Sequence, residues 1–193
     1  MRIIGIDPSI TATGICDDQG NLTVAGGPAH MGDLRLPVIA DAVQQAVERS
    51  LAQLAVIEDL PFNAHSAGVS GMVQGVIRAR LIALKVPYVL VVPSTLKKFA
   101  TGNGNANKSD MRMAMFQRSG QDVRSDDQVD AWWLWVAGRQ AMGEAIVQMP
   151  AAQVKALEVV GWPEEPEPEP EPVKLTPGDL AADVVLKSRR RKP

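Results

Sequence analysis

This chain of 193 residues has little cysteine and no long apolar run, and each of these features argues against a class of protein. A single cysteine, Cys16, excludes an internal disulfide framework and fits a reducing compartment. No apolar run approaches the roughly 20 residues that span a bilayer, and the first residues lack the apolar core of a signal peptide. We therefore expect a soluble protein of the cytoplasm that makes no contact with membranes.

The composition of the chain changes at Trp162-Pro163. Residues 1–162 have the length of one domain, and the hydrophobic content of 46% is enough for a core. Residues 164–172 alternate glutamate and proline, a pattern that predicts an extended, solvated segment. We expect one domain over 1–162 and a disordered Glu/Pro-rich linker with a basic tail over 163–193. That basic end either binds nucleic acid without specificity or only aids solubility, and the second interpretation is favoured.

Charge is distributed unevenly along the chain. The net charge of −2 argues weakly against a surface covered in basic residues. Residues 78–124 nevertheless contain nine basic residues and only two acidic ones, as a phosphate-binding surface requires. For any single basic residue, a solvated helix face is the simpler explanation. The candidate DNA contacts within this block are Lys97, Lys98, Lys108 and Arg112.

The hydrophobic pattern predicts an initial meander of strands, followed by alternating strands and helices. A first strand contains Ile3, Ile4 and Ile6, and the other predicted strands are 13–16, 21–25, 55–59 and 88–92. The predicted helices are 34–54, 66–84, 94–100, 108–118, 126–141 and 151–160, with a mobile loop at 101–107. This order indicates an α/β fold with a five-stranded mixed sheet and helices on both faces.

Acidic residues stand at the ends of two predicted strands and on one predicted helix. Asp7 and Glu58 each follow a short apolar strand, and sites form where strand ends diverge in such sheets. For Asp7 alone, a simple turn before Pro8 explains the residue equally well. Asp127 and Asp130 are three residues apart, so they share a helix face that continues into apolar residues. The neighbouring Asp126 we assign to the helix dipole, after Ser125 as N-cap.

These four carboxylates, with only two histidines and one cysteine in the chain, predict a hard site made of oxygen ligands. Such a site favours Mg²⁺, with Mn²⁺ able to substitute, and disfavours zinc. Two ions about 3.5–4 Å apart stabilise the attacking and leaving oxygens of a phosphoryl displacement. The pattern is typical of a nuclease.

The spaced set of motifs resembles the RuvC family of Holliday-junction resolvases, within the RNase H-like superfamily. Its parts are Gly5-Ile6-Asp7-Pro8 with Thr13-Gly14, Ile57-Glu58, Lys97 and Lys108, and Asp127-x-x-Asp130-Ala131. The likeness covers residues 1 to about 145 and is nearest to the branch of the family carried by phages and prophages. A protein encoded by a phage would act in the cytoplasm of its bacterial host. The resemblance implies an RNase H-like fold and a homodimer that cuts four-way DNA junctions with paired symmetric nicks.

The resemblance also implies roles for particular residues. Asp7, Glu58, Asp127 and Asp130 would bind the two metal ions, and Lys97 and Lys108 would contact DNA near the bond that is cut, with Lys108 counted as catalytic. The small-residue face of the helix predicted at 66–84 would form the dimer contact. Two departures stand out: Ser9 replaces a common glycine, and Phe62 is the only candidate for an aromatic at the junction centre.

Other interpretations account for less of the sequence. Residues 102–109 nearly match a P-loop, but Asn107 stands where the motif needs glycine, so no nucleotide cofactor is expected. Actin-like sugar kinases begin similarly but need a second lobe. Trp132, Trp133 and Trp135 suggest base stacking, although a place in the core is favoured. A relaxed nuclease for flaps and forks, or a junction-binding dimer without catalysis, remain alternatives to a resolvase.

Overall fold

The computed structural model describes residues 1–60 and 67–163, and its elements follow the predicted order. The strands are β1 (Ile3–Asp7), β2 (Thr13–Cys16), β3 (Leu22–Ala25), β4 (Leu54–Glu58) and β5 (Tyr88–Val91). The α-helices are α1 (Arg35–Ser50), α2 (Ala67–Ala83), α3 (Pro93–Thr101), α4 (Lys108–Ser119), α5 (Asp126–Ala141) and α6 (Ala151–Val154). Two 3₁₀ segments, Ala29–Leu34 and Lys155–Val159, complete the described elements.

The strands form one mixed sheet in the order β3-β2-β1-β4-β5. β1, β2 and β3 pair in antiparallel fashion, whereas β4 and β5 run parallel to β1. In the central strand, Ile6 lies opposite Ile15 on one side and Ile57 on the other. The prediction of a five-stranded mixed sheet is confirmed.

Successive residues of the central strands point to opposite faces, so the sheet separates two hydrophobic cores. Ile3 and Val56 belong to the core shared with α3, α4 and α5. Ile4 and Ile57 belong to the core shared with α1 and α2. Helices therefore cover both faces, as predicted.

Two glycines allow α5 to lie directly on the sheet. A Cβ atom at Gly5 would stand 2.1 Å from the carbonyl oxygen of Ala131, and one at Gly14 would stand 2.0 Å from that of Asp127. No side chain fits in these spaces unless the backbone shifts, because both contacts are with backbone atoms. The close approach fixes the position of the first turns of α5 above β1 and β2.

The tryptophans of α5 are core residues, so the alternative of base stacking is wrong for them. Trp133 is fully buried, and Trp132 and Trp135 are 2% and 7% exposed. Trp133 meets Phe99 edge-to-face at 5.9 Å and donates a hydrogen bond from Nε1 to the carbonyl of Met111. These contacts join α3, α4 and α5 into one layer.

Two features differ from the sequence prediction. The helix predicted through Leu54 ends at Ser50, because Leu51 adopts a left-handed conformation (φ 50°) and caps it. The segment predicted as one helix over 151–160 is instead α6 followed by a 3₁₀ segment. The loop after α3 contains a hydrogen bond from the Asn105 amide to Asn103 Oδ1, and its mobility stays a prediction.

The described residues belong to one compact unit, Met1–Pro163. The division of the chain at 162/163 remains a prediction, since residues 164–193 lie outside the described ranges. Among the helices that the structure describes, none combines the length and apolar character needed to span a bilayer.

Candidate active site

Asp7 and Glu58 lie side by side at the carboxyl edge of the sheet. The parallel register pairs Ile6 with Ile57, so the next residue of each strand is an acid at the same edge. Asp7 lies on the same face of the sheet as Ile3, and Glu58 on the same face as Val56, because each pair is an even number of residues apart. Ile3 and Val56 point toward α5. The two carboxyl groups therefore project from the sheet to the face that α5 covers.

The close contact at Gly14 brings the other two acids to the same place. Gly14 pairs with Asp7 across the β1–β2 ladder, and the backbone of Asp127 rests against Gly14. Ser125 begins the helix and accepts a hydrogen bond from the amide of Gln128, as its prediction as N-cap requires. Asp130 is one turn further along α5, so Asp127 and Asp130 both lie over the end of β1.

The electrostatics of the four acids show how close they are. Burial raises the pKa of Asp7 well above its usual range, and the charges of Glu58, Asp130 and Asp127 raise it further. Asp7 is only 8% exposed. Burial and then repulsion from Asp130 raise the pKa of Glu58 to about 7. Burial and the neighbouring carboxylates therefore both disfavour the ionised form of each acid.

The two acids of α5 have less extreme pKa values. Burial raises the pKa of Asp130 to about 6 and raises that of Asp127 above its usual range. The ammonium of Lys97 acts in the opposite direction, because it lowers the pKa of both Asp130 and Glu58. Lys108 lowers the pKa of Asp127 and Asp130 in the same way, so both lysines act on the acids, while their predicted contact with DNA stays a prediction.

The donor set fits a divalent cation. Its atoms are carboxylate oxygens, which Mg²⁺ and Mn²⁺ prefer, and its excess of buried negative charge calls for a cation. No group of three or more acidic, histidine or cysteine side chains among residues 1–60 and 67–163 is already arranged to hold an ion.

Lys108 stands at the first position of α4, with its Nζ 3.0 Å from Asp126 Oδ2. It interacts with the charges of Asp127 and Asp130. Arg112 binds the other oxygen of Asp126, so this predicted DNA contact already has a protein partner. Sequence reasoning assigned Asp126 only to the helix dipole, and nothing in the local pattern predicts that it would meet two basic residues of α4.

The remaining predicted DNA contacts are placed differently. Lys98 is exposed and lines a groove with Lys155 and Glu158, where α3 meets the 3₁₀ segment. None of the four acids lines this groove, although Lys98 is adjacent to Lys97 in the sequence. Phe62 lies outside the described residues.

Gln74 is a further residue of the site that sequence reasoning missed. This side chain of α2 is 3% exposed, and its Nε2 donates a hydrogen bond of 3.1 Å to the backbone carbonyl of Glu58. The bond fixes the end of β4 from the face opposite α5. The signal in the sequence that could have identified Gln74 is a single polar residue on the otherwise apolar, buried side of a predicted helix.

A family model and the curated relatives described below all carry the same family name. The family model described as crossover junction endodeoxyribonuclease RuvC matches residues 3–131. A protein of that name from Prochlorococcus marinus (strain MIT 9303) is 29% identical over 154 residues, which cover 72% of this chain and 97% of the relative. The namesake from Nocardia farcinica is 28% identical over 173 residues, with coverage of 82% and 90%. The one from Streptomyces avermitilis is 32% identical over 124 residues, with coverage of 56% and 69%.

Solved structures support the same fold. The RuvC structure of Thermus thermophilus aligns with a TM-score of 0.60 and 20% identity, covering 77% of this chain and all of that one. The same protein in complex with a Holliday junction substrate aligns with a TM-score of 0.61 and 20% identity, covering 77% and 99%. The RNase H-like fold predicted from the sequence is confirmed by this likeness. The chain belongs to the RuvC family of crossover junction endodeoxyribonucleases.

Proposed function

We propose that this chain is a metal-dependent endonuclease that resolves four-way DNA junctions by paired symmetric nicks. The observation that carries the proposal is that four acids gather at one edge of the sheet, in a chain that matches the RuvC family model over residues 3–131. The relatives named above are crossover junction endodeoxyribonucleases, and one structural neighbour was solved with a Holliday junction. The reaction belongs in the cytoplasm, where DNA and a reducing environment coincide.

Asp7, Glu58, Asp127 and Asp130 would hold two Mg²⁺ ions, for which Mn²⁺ could substitute. When bound, the ions would supply positive charge for the attacking water and for the departing 3′ oxygen. Asp7 ends the central strand, beside the end of β4 that carries Glu58 and under the first turns of α5, so it would contribute its carboxylate at the middle of the site. Its burial keeps bulk water from competing for its oxygens.

Lys97 and Lys108 would bind phosphate groups on either side of the bond that is cut. Lys97 is near Glu58 and Asp130, and Lys108 is near Asp127, so the two ammonium groups border the acids from α3 and α4. Positive groups in these places hold a phosphate backbone against four negative carboxylates. Lys98 would contact DNA further from the acids, since it lines a different groove.

The proposed enzyme is a homodimer, because paired nicks in opposed strands need two sites. The outer face of α2 carries exposed apolar side chains at Val69, Met72 and Ile82. A Cβ at Gly68 or Gly75 would meet no other described atom within 4 Å. Small and apolar residues on an uncovered helix face allow close approach by a second copy, as predicted for this helix from its sequence.

The test is cleavage of a labelled immobile four-way junction, beside a matched linear duplex and a flap, in Mg²⁺, Mn²⁺ or EDTA. Asp7→Asn retains the size of the side chain but removes the charge of a proposed metal ligand, and we expect its cleavage rate to fall about 10²–10³-fold, comparable to losing one principal electrostatic group. Asp33→Asn, an exposed acid in the first 3₁₀ segment, is the matched control and should cut normally.

Each pattern of products has a defined meaning. Symmetric nicks confined to the junction, dependent on metal and lost in Asp7→Asn, support a resolvase. Cutting of flaps as well would replace this proposal with a relaxed branch nuclease. Tight junction binding without cutting in any metal would refute the enzyme and leave a binding dimer.

A further inference from the structure

We infer that Asp126 is a positioning residue that directs the Lys108 ammonium toward the phosphate at the active site. The inference rests on the proposed function, and it concerns a residue outside the predicted ligand set. It begins from an ion-pair cluster of three residues, Lys108, Arg112 and Asp126, which joins the first two turns of α4 to the first turn of α5.

The two carboxylate oxygens of Asp126 have separate partners. Oδ1 accepts a hydrogen bond of 2.7 Å from Arg112 Nη2, and the same nitrogen donates to the backbone carbonyl of Arg124 at 2.9 Å. Oδ2 lies 3.0 Å from Lys108 Nζ. Asp126 Oδ1 is thus held by Arg112, which also bonds the backbone of Arg124. Asp126 Oδ2 is left to pair with Lys108.

The exposure of the three side chains divides the cluster into a fixed and an exchangeable part. The Arg112 and Asp126 side chains are 39% and 28% exposed, whereas that of Lys108 is 77% exposed. Exposed ion pairs are weak and exchange readily with other anions. A DNA phosphate can therefore replace Asp126 as the partner of Lys108 without disturbing the contact between Asp126 and Arg112.

The backbone beneath this cluster is held in place, so the ion pair controls only the side chain of Lys108. Asn107 and Asp110 form a capping box at the start of α4, each bonding the backbone amide of the other. A lysine side chain on a fixed backbone still has many rotamers, and losing them on binding opposes the reaction. Asp126 restricts these rotamers before DNA arrives and keeps the ammonium close to Asp127.

The helix dipole alone does not account for this arrangement. An acid in the first turn stabilises its own helix without any partner from another element. Asp126 instead spans two helices and contacts the one lysine of α4. A residue with only a dipole role would affect folding stability equally whether or not Lys108 is present.

The experiment is a double-mutant cycle between Asp126→Asn and Lys108→Ala in the full chain. Single-turnover cleavage of the four-way junction gives the rate, and junction affinity is measured in Ca²⁺ in place of Mg²⁺. Asp122→Asn, four residues earlier and exposed, removes the same charge and serves as the control. Thermal unfolding of each variant checks that it is folded, and Asp126→Glu retains the charge should Asp126→Asn fail to fold.

We expect Asp126→Asn to cut about fivefold more slowly, equivalent to about 1 kcal/mol, while it binds the junction as tightly as the wild type or more so. In the Lys108→Ala background the same change should have less than about a twofold effect, because the group that it positions is gone. Asp126→Glu should recover most of the rate, and Asp122→Asn should match the wild type.

The inference is refuted if Asp126→Asn cuts at the wild-type rate or faster. An equal loss in the wild-type and Lys108→Ala backgrounds would also overturn it, since Asp126 would then act through another route. A wild-type protein that cuts no junction would overturn the proposed function itself, which distinguishes that failure from a failure of the inference.

Discussion

Replacing Gly14 with alanine tests whether the position of α5 creates the active site. Gly14 is in an extended strand, so alanine has no conformational difficulty there, and its effect comes from contact alone. The new Cβ would lie 2.0 Å from the carbonyl oxygen of Asp127 and 2.4 Å from its carbonyl carbon. Because Asp127 is a proposed metal ligand, the clash falls directly on the backbone that carries it.

The magnitude follows from the distance. Ordinary contact begins near 3.4 Å, so the first turn of α5 and β2 must separate by about 1.4 Å. Overpacking of this kind costs about 1–3 kcal/mol of folding stability. A misplacement of about 1 Å in a catalytic constellation costs roughly 10²-fold in rate. We therefore expect a folded protein with a modest loss of stability and a much larger loss of junction cleavage.

The assay combines urea unfolding with single-turnover junction cleavage in Mg²⁺. Gly161→Ala is the control, because a Cβ there meets no described atom within 4 Å and its backbone conformation suits alanine. Wild-type cleavage by Gly14→Ala would refute the reasoning, since it would show that Asp127 tolerates displacement. A rate loss no larger than the unfolded fraction explains would also contradict it, because the damage would then be to folding and not to the site.

Two further predictions concern the basic groups and pH. Lys108→Ala should slow cleavage at least about tenfold more than it weakens junction binding. Lys98→Ala is the control, because Lys98 lines a groove without the acids and its loss should affect binding and cleavage alike. Equal losses of binding and cleavage in Lys108→Ala would argue against a catalytic role for Lys108. In EDTA, the raised pKa of Glu58, about 7 against an ordinary value of 4.5, gives stability that is complete below pH about 4.5 and lost as pH rises to about 7. That loss amounts to about 3 kcal/mol. It should be smaller in Glu58→Gln, where the raised pKa values of Asp7 and Asp130 still contribute, and smaller again on adding Mg²⁺. Urea midpoints from pH 4 to 8 provide the check, and a pH dependence that is the same in Glu58→Gln as in wild-type protein would contradict the burial of this acid.

Local patterns predict much of this fold because its elements obey simple periodicities. The buried strands and their terminal acids follow from runs of apolar residues, and α5 begins and ends at the predicted residues, Asp126 and Ala141. The pairing of Asp127 with Asp130 on one face needs only the helical repeat. The four acids therefore follow from local patterns, whereas the role of Lys97 was implied only by the resemblance to the RuvC family.

The parts that the sequence did not predict depend on contacts between distant elements. Leu51 and Leu54 continue the helical spacing of α1, yet Leu51 adopts a left-handed conformation and Leu54 begins a strand. The partners of Asp126 depend on the start of α4 lying beside the start of α5, which no local pattern states. The importance of Gly14 is likewise visible only when the helix that rests on it is known.

The hydrogen bond from Gln74 to the Glu58 carbonyl makes α2 a shared support for two tasks. Its outer surface bears the apolar residues that we propose for the dimer, while its inner surface holds the strand end that presents an acid. The helix cannot slide to suit a partner without lengthening a 3.1 Å bond at the catalytic edge. In a dimer formed through the outer surface of α2, as we propose, the angle at which two copies meet, and hence the spacing of the two cuts, would be coupled to the geometry within each active site.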